Sequence, residues 1–190
     1  MNANIIEEVQ KGKGSNTTLS SLLWVSKAVS NDPLRNSITG VHIEDDPSNP
    51  EQSLAVGTDG RRLNLARLPK KIVAGEYKIW KTSSRLFLAV SKDMGMYPKY
   101  QSVVPSCDAN DMRKIDLTYL NRNDGVRIFK ICCQFYAVKN SYFNAVYLQQ
   151  ATQDLPECFV HQVDEMSPVR IQDSKENWTR IAIVMPVRIN

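Results

Sequence analysis

Residues 54–69 read Leu54-Ala-Val-Gly-Thr-Asp-Gly-Arg-Arg-Leu-Asn-Leu-Ala-Arg-Leu-Pro69, two apolar runs on either side of a polar break. Thr58-Asp59-Gly60 predicts a turn there, because glycine adopts positive φ without a Cβ clash and an Asp side chain caps the backbone beside it. The turn sends Arg61 and Arg62 out in fixed directions, with guanidinium groups suited to carbonyl or carboxylate acceptors. Leu54-Ala55-Val56 and Leu63 to Leu68 then become two antiparallel strands.

Working outward, Ser37 to Ile43 has a period near two and predicts another strand. Upstream, Asn16-Thr17-Thr18 offers a cap, and Leu19, Leu22, Leu23, Trp24, Val25, Ala28 and Val29 recur at helical spacing until Asn31-Asp32-Pro33. A first helix is therefore expected at about 18–30. Residues 1–15 are polar and Gly-rich and read as a flexible amino-terminal segment. Lys11-Gly12-Lys13-Gly14 within it lacks the spacing and preceding strand of a phosphate cradle.

Downstream, strands are expected at Tyr77 to Trp80, Arg85 to Ser91, Ile115 to Leu120 and Val126 to Val138, the last with Ile131-Cys132-Cys133 as a buried centre. A second helix is expected at 141–154, capped by Asn140 or Ser141, with Tyr142, Phe143, Val146, Tyr147 and Ala151 on its apolar face. Pro156 ends it, and Cys158 to Val163, Pro168 to Gln172 and Thr179 to Arg188 read as three more strands. One helix followed by strands, twice over, predicts an α+β fold with two helices on one face of a curved antiparallel sheet.

The 190 residues carry 24 Lys and Arg against 20 Asp and Glu, a net charge of +4, and 42% hydrophobic residues, which excludes a disordered chain. Neither a membrane-spanning apolar run nor the order of a signal peptide occurs, so a cytoplasmic location is expected. Cys107, Cys132, Cys133 and Cys158 have no metal-ligand spacing and read as buried thiols. With only His42 and His161, there is little material for a zinc site or a His-driven catalytic group, and neither a metal, a cofactor nor an enzyme is expected. Glu44-Asp45-Asp46 lacks calcium-loop spacing. Arg61, Arg62, Arg67, Lys70 and Lys71 form a run without an acid, which suits either a polyanion or a solvated basic edge.

Four strings, in order, resemble the bacterial sliding clamp, the β subunit of the replicative DNA polymerase: LAVGTDGRRLNLARLP (54–69), YPKYQSVVP (97–105), SPVRIQD (167–173) and IAIVMPVRI (181–189). RNSITGVHIE (35–44) with helix one is similar to the opening of the clamp's middle domain, and NSYFNAVYLQQATQDL (140–155) to the second helix of its last domain. The resemblance implies two abbreviated clamp domains, a middle-domain-like part at 16–105 and a carboxyl-terminal-domain-like part at 106–190. It implies a ring protein without catalysis that encircles duplex DNA and tethers partners through a hydrophobic pocket accepting a short linear peptide.

Carried over position by position, the walls of that pocket would be Ile38, Thr58, Gly60, Arg61, Arg62 and Leu63, then Pro98 and Val103, then Met166, Pro168, Ile183, Met185, Pro186, Val187 and Arg188. The residues themselves agree in part, since an apolar carboxyl-terminal strand ending in a Met-Pro pair is an adaptable surface of the kind peptide sites use. The implied partners are DNA polymerases or repair proteins carrying a clamp-binding peptide, and double-stranded DNA without sequence preference.

The chain departs from the family in length, in Arg61, Ser102 and Asn190, and in charge. The second helix has no Lys or Arg, and Lys27 is the DNA-facing candidate on the first. Two domains per chain would need a trimer to complete a six-domain ring. The alternative is a clamp-derived adaptor or competitor that binds the same peptides without embracing DNA.

Overall fold

The computed structural model describes residues 5–10, 16–81, 85–90, 95–116, 125–155 and 157–188. Two compact units divide the chain, Met1–Lys99 and Tyr100–Asn190. Both are α+β, and every strand pair within them is antiparallel.

The first unit holds strands β1 (Ile5–Gln10), β2 (Val41–Asp46), β3 (Asn49–Thr58), β4 (Arg62–Leu68), β5 (Gly75–Lys81) and β6 (Arg85–Val90), with helix α1 (Asn16–Ser26) between β1 and β2. Their order in the sheet is β1-β6-β5-β2-β3-β4. The 54–69 stretch pairs as its sequence predicts, from Ser53 opposite Leu68 to Thr58 opposite Leu63. α1 packs on β3 and β4 with Leu22, Trp24 and Val25 buried. A Cβ on Gly57 would come within 2.5 Å of the Val25 carbonyl, so only glycine lets the helix lie this close to β3. Asn64 adds a buried hydrogen bond from Nδ2 to the Trp24 carbonyl at 2.9 Å, satisfying a carbonyl at the end of α1.

Two expectations for this unit are corrected. The strand expected from Ser37 begins only at Val41, because Asn36–Ile38 form a 3-10 turn in which the Ile38 N–H donates to the Arg35 carbonyl at 3.0 Å. Ile5–Gln10, read as part of a flexible segment, is a strand paired with β6. Its Ile5-Ile6 and Val9 supply strand-forming residues that the surrounding glycines and charges obscure.

The second unit holds β7 (Arg113–Ile115), α2 (Gly125–Lys139), α3 (Ala145–Thr152), β8 (Cys158–His161), β9 (Val169–Gln172) and β10 (Arg180–Val184), the strands lying in the order β10-β9-β8-β7. Here the expected strand at Val126 to Val138 is a helix, making three α-helices rather than two among the described residues. Burial shows why. Ile131 and Phe135, four apart, are buried while Cys133 between them is exposed, the period of a helix and not the alternation of a strand. Of the four cysteines expected to be buried, only Cys158 is.

Helix α3 is shorter than expected. Its cap is Asn144, whose side chain accepts from the Val146 and Tyr147 N–H groups at 2.9 and 3.3 Å. Asn140, an expected cap, instead closes α2 at φ 55°, its N–H donating to the Tyr136 carbonyl at 2.7 Å. Of the expected strand at Ile115 to Leu120, residues 117–120 lie outside the described ones. No helix among the described residues is long and apolar enough to cross a membrane.

Candidate functional site

In the first unit the Thr58-Asp59-Gly60 turn is built as a rigid mount. Gly60 sits at φ 86°, where a side chain would be strained. Asp59 Oδ1 accepts from the N–H groups of Arg61 and Arg62 at 2.9 and 3.1 Å, and Thr58 Oγ1 donates to the Arg62 carbonyl at 2.7 Å. Arg62 does not point away from this mount. Its Nε donates to Asp59 Oδ2 at 3.0 Å and its Nη2 to the Lys27 carbonyl just beyond α1, with only 10% of the side chain exposed. Arg61 is exposed, whereas Ile38, Thr58 and Leu63 are buried and offer a ligand little surface. Pro98 is exposed. Lys27, the DNA-facing candidate, is half-buried in the turn after α1.

The basic run proves mostly neutralised. Arg62 pairs with Asp59, Arg67 with Asp46 at 2.9 Å and Lys71 with Asp45 at 3.4 Å. The acids come from the 44–46 stretch of β2 and from the turn itself, so a run free of acids in sequence is not one in space.

In the second unit, three of the expected residues come together. Met166, Val187 and Arg188 line one surface cavity of about 340 Å³, with Asn140, Ser141, Tyr142 and Glu165. After β10 the chain continues as Met185-Pro186-Val187-Arg188 and is held against the entry to α3. Phe143 and Pro186 form an antiparallel bridge, and the Val187 N–H donates to the Tyr142 carbonyl at 2.7 Å. Met166, Met185 and Val187 are 52, 43 and 49% exposed, leaving apolar surface on this unit. Val103 is also exposed, Pro168 and Pro186 are half-buried, and Ile183 lies in the core of β10.

Beneath the cavity, Gln162 ties its walls together. Its Nε2 donates to Ser141 Oγ and to the Ser167 carbonyl, each at 2.9 Å, and Ser141 Oγ donates to the Glu165 carbonyl at 2.8 Å. Asp164 fixes the same loop by accepting from the Met166 and Ser167 N–H groups at 2.9 and 2.7 Å. The hydrogen bond of the Ser167 side chain, then those of the Met166 and Ser167 N–H groups, hold the Asp164 carboxyl below its usual range.

Tyr142, Ser141 and Asn140 were missed as wall residues because the sequence reading placed 141–154 in one helix with Asn140 or Ser141 as its cap. Asn144, a cap residue with helix formers after it, was the signal that the helix begins later and leaves 140–143 free to line a wall.

These two units, each an antiparallel sheet carrying helices, define a clamp-like α+β fold. The structure is similar to the Caulobacter crescentus β sliding clamp, with a TM-score of 0.65 and 17% identity over 96% of this chain and 65% of that one. It is similar to the Thermotoga maritima DNA polymerase III β subunit, with a TM-score of 0.63 and 15% identity over 100% of this chain and 67% of that one. A Pseudomonas aeruginosa sliding clamp gives 0.64 and 15% over the same shares. No protein-family model and no curated protein matches the chain by sequence. The chain has the fold of the bacterial sliding clamps and spans about two thirds of their length.

Proposed function

We propose that this chain is a sliding-clamp-like processivity factor that tethers DNA polymerases or repair proteins through a short linear peptide. The observation that carries this reading is the meeting of Met166, Val187 and Arg188 around one cavity in a unit of clamp fold. Methionine side chains adapt to varied apolar partners, and Arg188 beside them offers a guanidinium to peptide carbonyls or a carboxylate. Arg62 braces its own turn, so Arg61 is the better candidate for contact there.

As an encircling clamp, the chain would close a ring with further copies, three if each supplies two domains. Duplex DNA inside would be held by charge alone, without base reading. The experiment is retention on circular against linearised DNA, in which a ring is lost from the free ends and a simple charged binder is retained equally by both.

One observation favours the second reading, an adaptor that binds the same peptides without embracing DNA. Helices α1 and α3 have no Lys or Arg to meet phosphates, and α2 is the helix that carries them, as Arg127, Lys130 and Lys139. Peptide binding without a difference between circular and linear DNA selects this reading.

A further inference from the structure

A second constellation lies in the first unit, away from the turn. His42 of β2 stands directly opposite Glu76 of β5, and Glu44 lies two residues along β2 on the same face. His42 Nδ1 is 2.6 Å from Glu76 Oε1 and Nε2 is 3.3 Å from Glu44 Oε2. Across the ring of His42 lies that of Tyr97, with centroids 4.7 Å apart and planes within 14°. The Tyr97 hydroxyl donates to the Val56 carbonyl of β3 at 3.3 Å.

We propose that Glu44, His42, Glu76 and Tyr97 form a proton-dependent clasp, which holds the segment around Tyr97 on the sheet while His42 is charged and loosens it when His42 is neutral.

The geometry favours the charged ring. A carboxylate faces each ring nitrogen, and only the imidazolium donates from both, since the neutral ring would turn a lone pair towards one of them. Glu76 is largely buried, and its Oε2 has no hydrogen-bond partner, so its carboxylate depends on a neighbouring cation. The cation also strengthens the stack on the Tyr97 ring.

Burial by itself would lower the affinity of His42 for its proton, but the hydrogen bond and charge of Glu76, then those of Glu44, outweigh it and raise the pKa above 6.5. Burial, then the charge of Glu76, pushes the Tyr97 hydroxyl well above its ordinary range, so it does not titrate with His42. Among the described residues, Glu44 from β2, Glu76 from β5 and Tyr97 from its segment face the ring, while β3 presents the uncharged Val56. A raised histidine pKa means that the clasp is fully made below pH 6.5 and is lost as pH rises through the folded-state value. The segment it holds includes Pro98, so the state of the clasp bears on a residue expected to touch the peptide.

The test is an NMR titration of the labelled full chain, with His161→Gln used to assign the two imidazoles. The expected result is a His42 midpoint above 6.5, with NOEs from the Tyr97 ring to His42 and Val56 weakening at the same midpoint. Glu76→Gln should lower the midpoint and Glu44→Gln should lower it less. If Glu76→Gln fails to fold, Glu44→Gln, at the more exposed position, carries the same comparison. A midpoint at or below 6.5, or Tyr97 NOEs that persist unchanged through it, overturns the clasp.

Discussion

The Val187 N–H donates to the Tyr142 carbonyl at 2.7 Å, so the chain beyond β10 is stitched to the residues that lead into α3. With the Phe143–Pro186 bridge beside it, that link places the exposed Val187 and Arg188 across a cavity from Met166, although about twenty residues separate them in sequence. A greasy carboxyl-terminal segment becomes a wall with a fixed geometry, which reduces the ordering a bound peptide must impose.

Met166→Ala and Met185→Ala should each weaken a clamp-binding peptide by about 1–3 kcal/mol, the range of an interface hot spot. Fluorescence anisotropy with a labelled peptide measures this. Leu34→Ala, at a position 91% exposed in another unit, is the control and should leave affinity unchanged.

Arg62→Ala should act chiefly on stability. It removes charge-assisted contacts to Asp59 and to the Lys27 carbonyl, a loss of about 1.5–3 kcal/mol in urea unfolding. Exposed Arg61→Ala should cost less than about 0.5 kcal/mol. Equal effects of the two would show that the turn is not braced as described.

Much of this fold was legible in the sequence, because the apolar runs of 54–56 and 63–68 flank Thr58-Asp59-Gly60 and Gly60 marks the turn. The helix at Gly125–Lys139 was not, since Ile131-Cys132-Cys133 is apolar whichever period is applied and only burial separates the two. The apolar half of the site could be read from Met166 and Val187. The neutralising of Arg67 and Lys71 could not, because Asp46 and Asp45 approach them only through strand pairing.

The helical reading of α2 predicts an ordering of thiol reactivity. Cys133 is exposed, whereas burial pushes the Cys158 thiol up to about 12. A thiol reagent should therefore label Cys133 in the native protein and reach Cys158 only on unfolding, as peptide mass mapping would report. Protection of Cys133 would favour a buried strand after all.

Acid should expose the role of Asp46. Burial alone would raise its pKa, but hydrogen bonds from Ser48, then the Arg67 charge, outweigh it and lower it below 3.8. A depressed carboxylate stabilises the fold above the unfolded value and loses that contribution as pH falls through the folded one. The stability gap between the natural protein and Asp46→Asn should accordingly narrow as pH drops below 3.8, followed by urea midpoints at several pH values. A gap that does not change with pH would contradict it.

The most direct measurement is a backbone-amide NMR titration of the full chain with a short peptide from a polymerase's clamp-binding segment. The account predicts shifts concentrated at Asn140 to Tyr142, Glu165, Met166 and Met185 to Arg188, with Met166→Ala weakening them. Saturating peptide that leaves those amides unmoved, or moves only residues elsewhere, would contradict it.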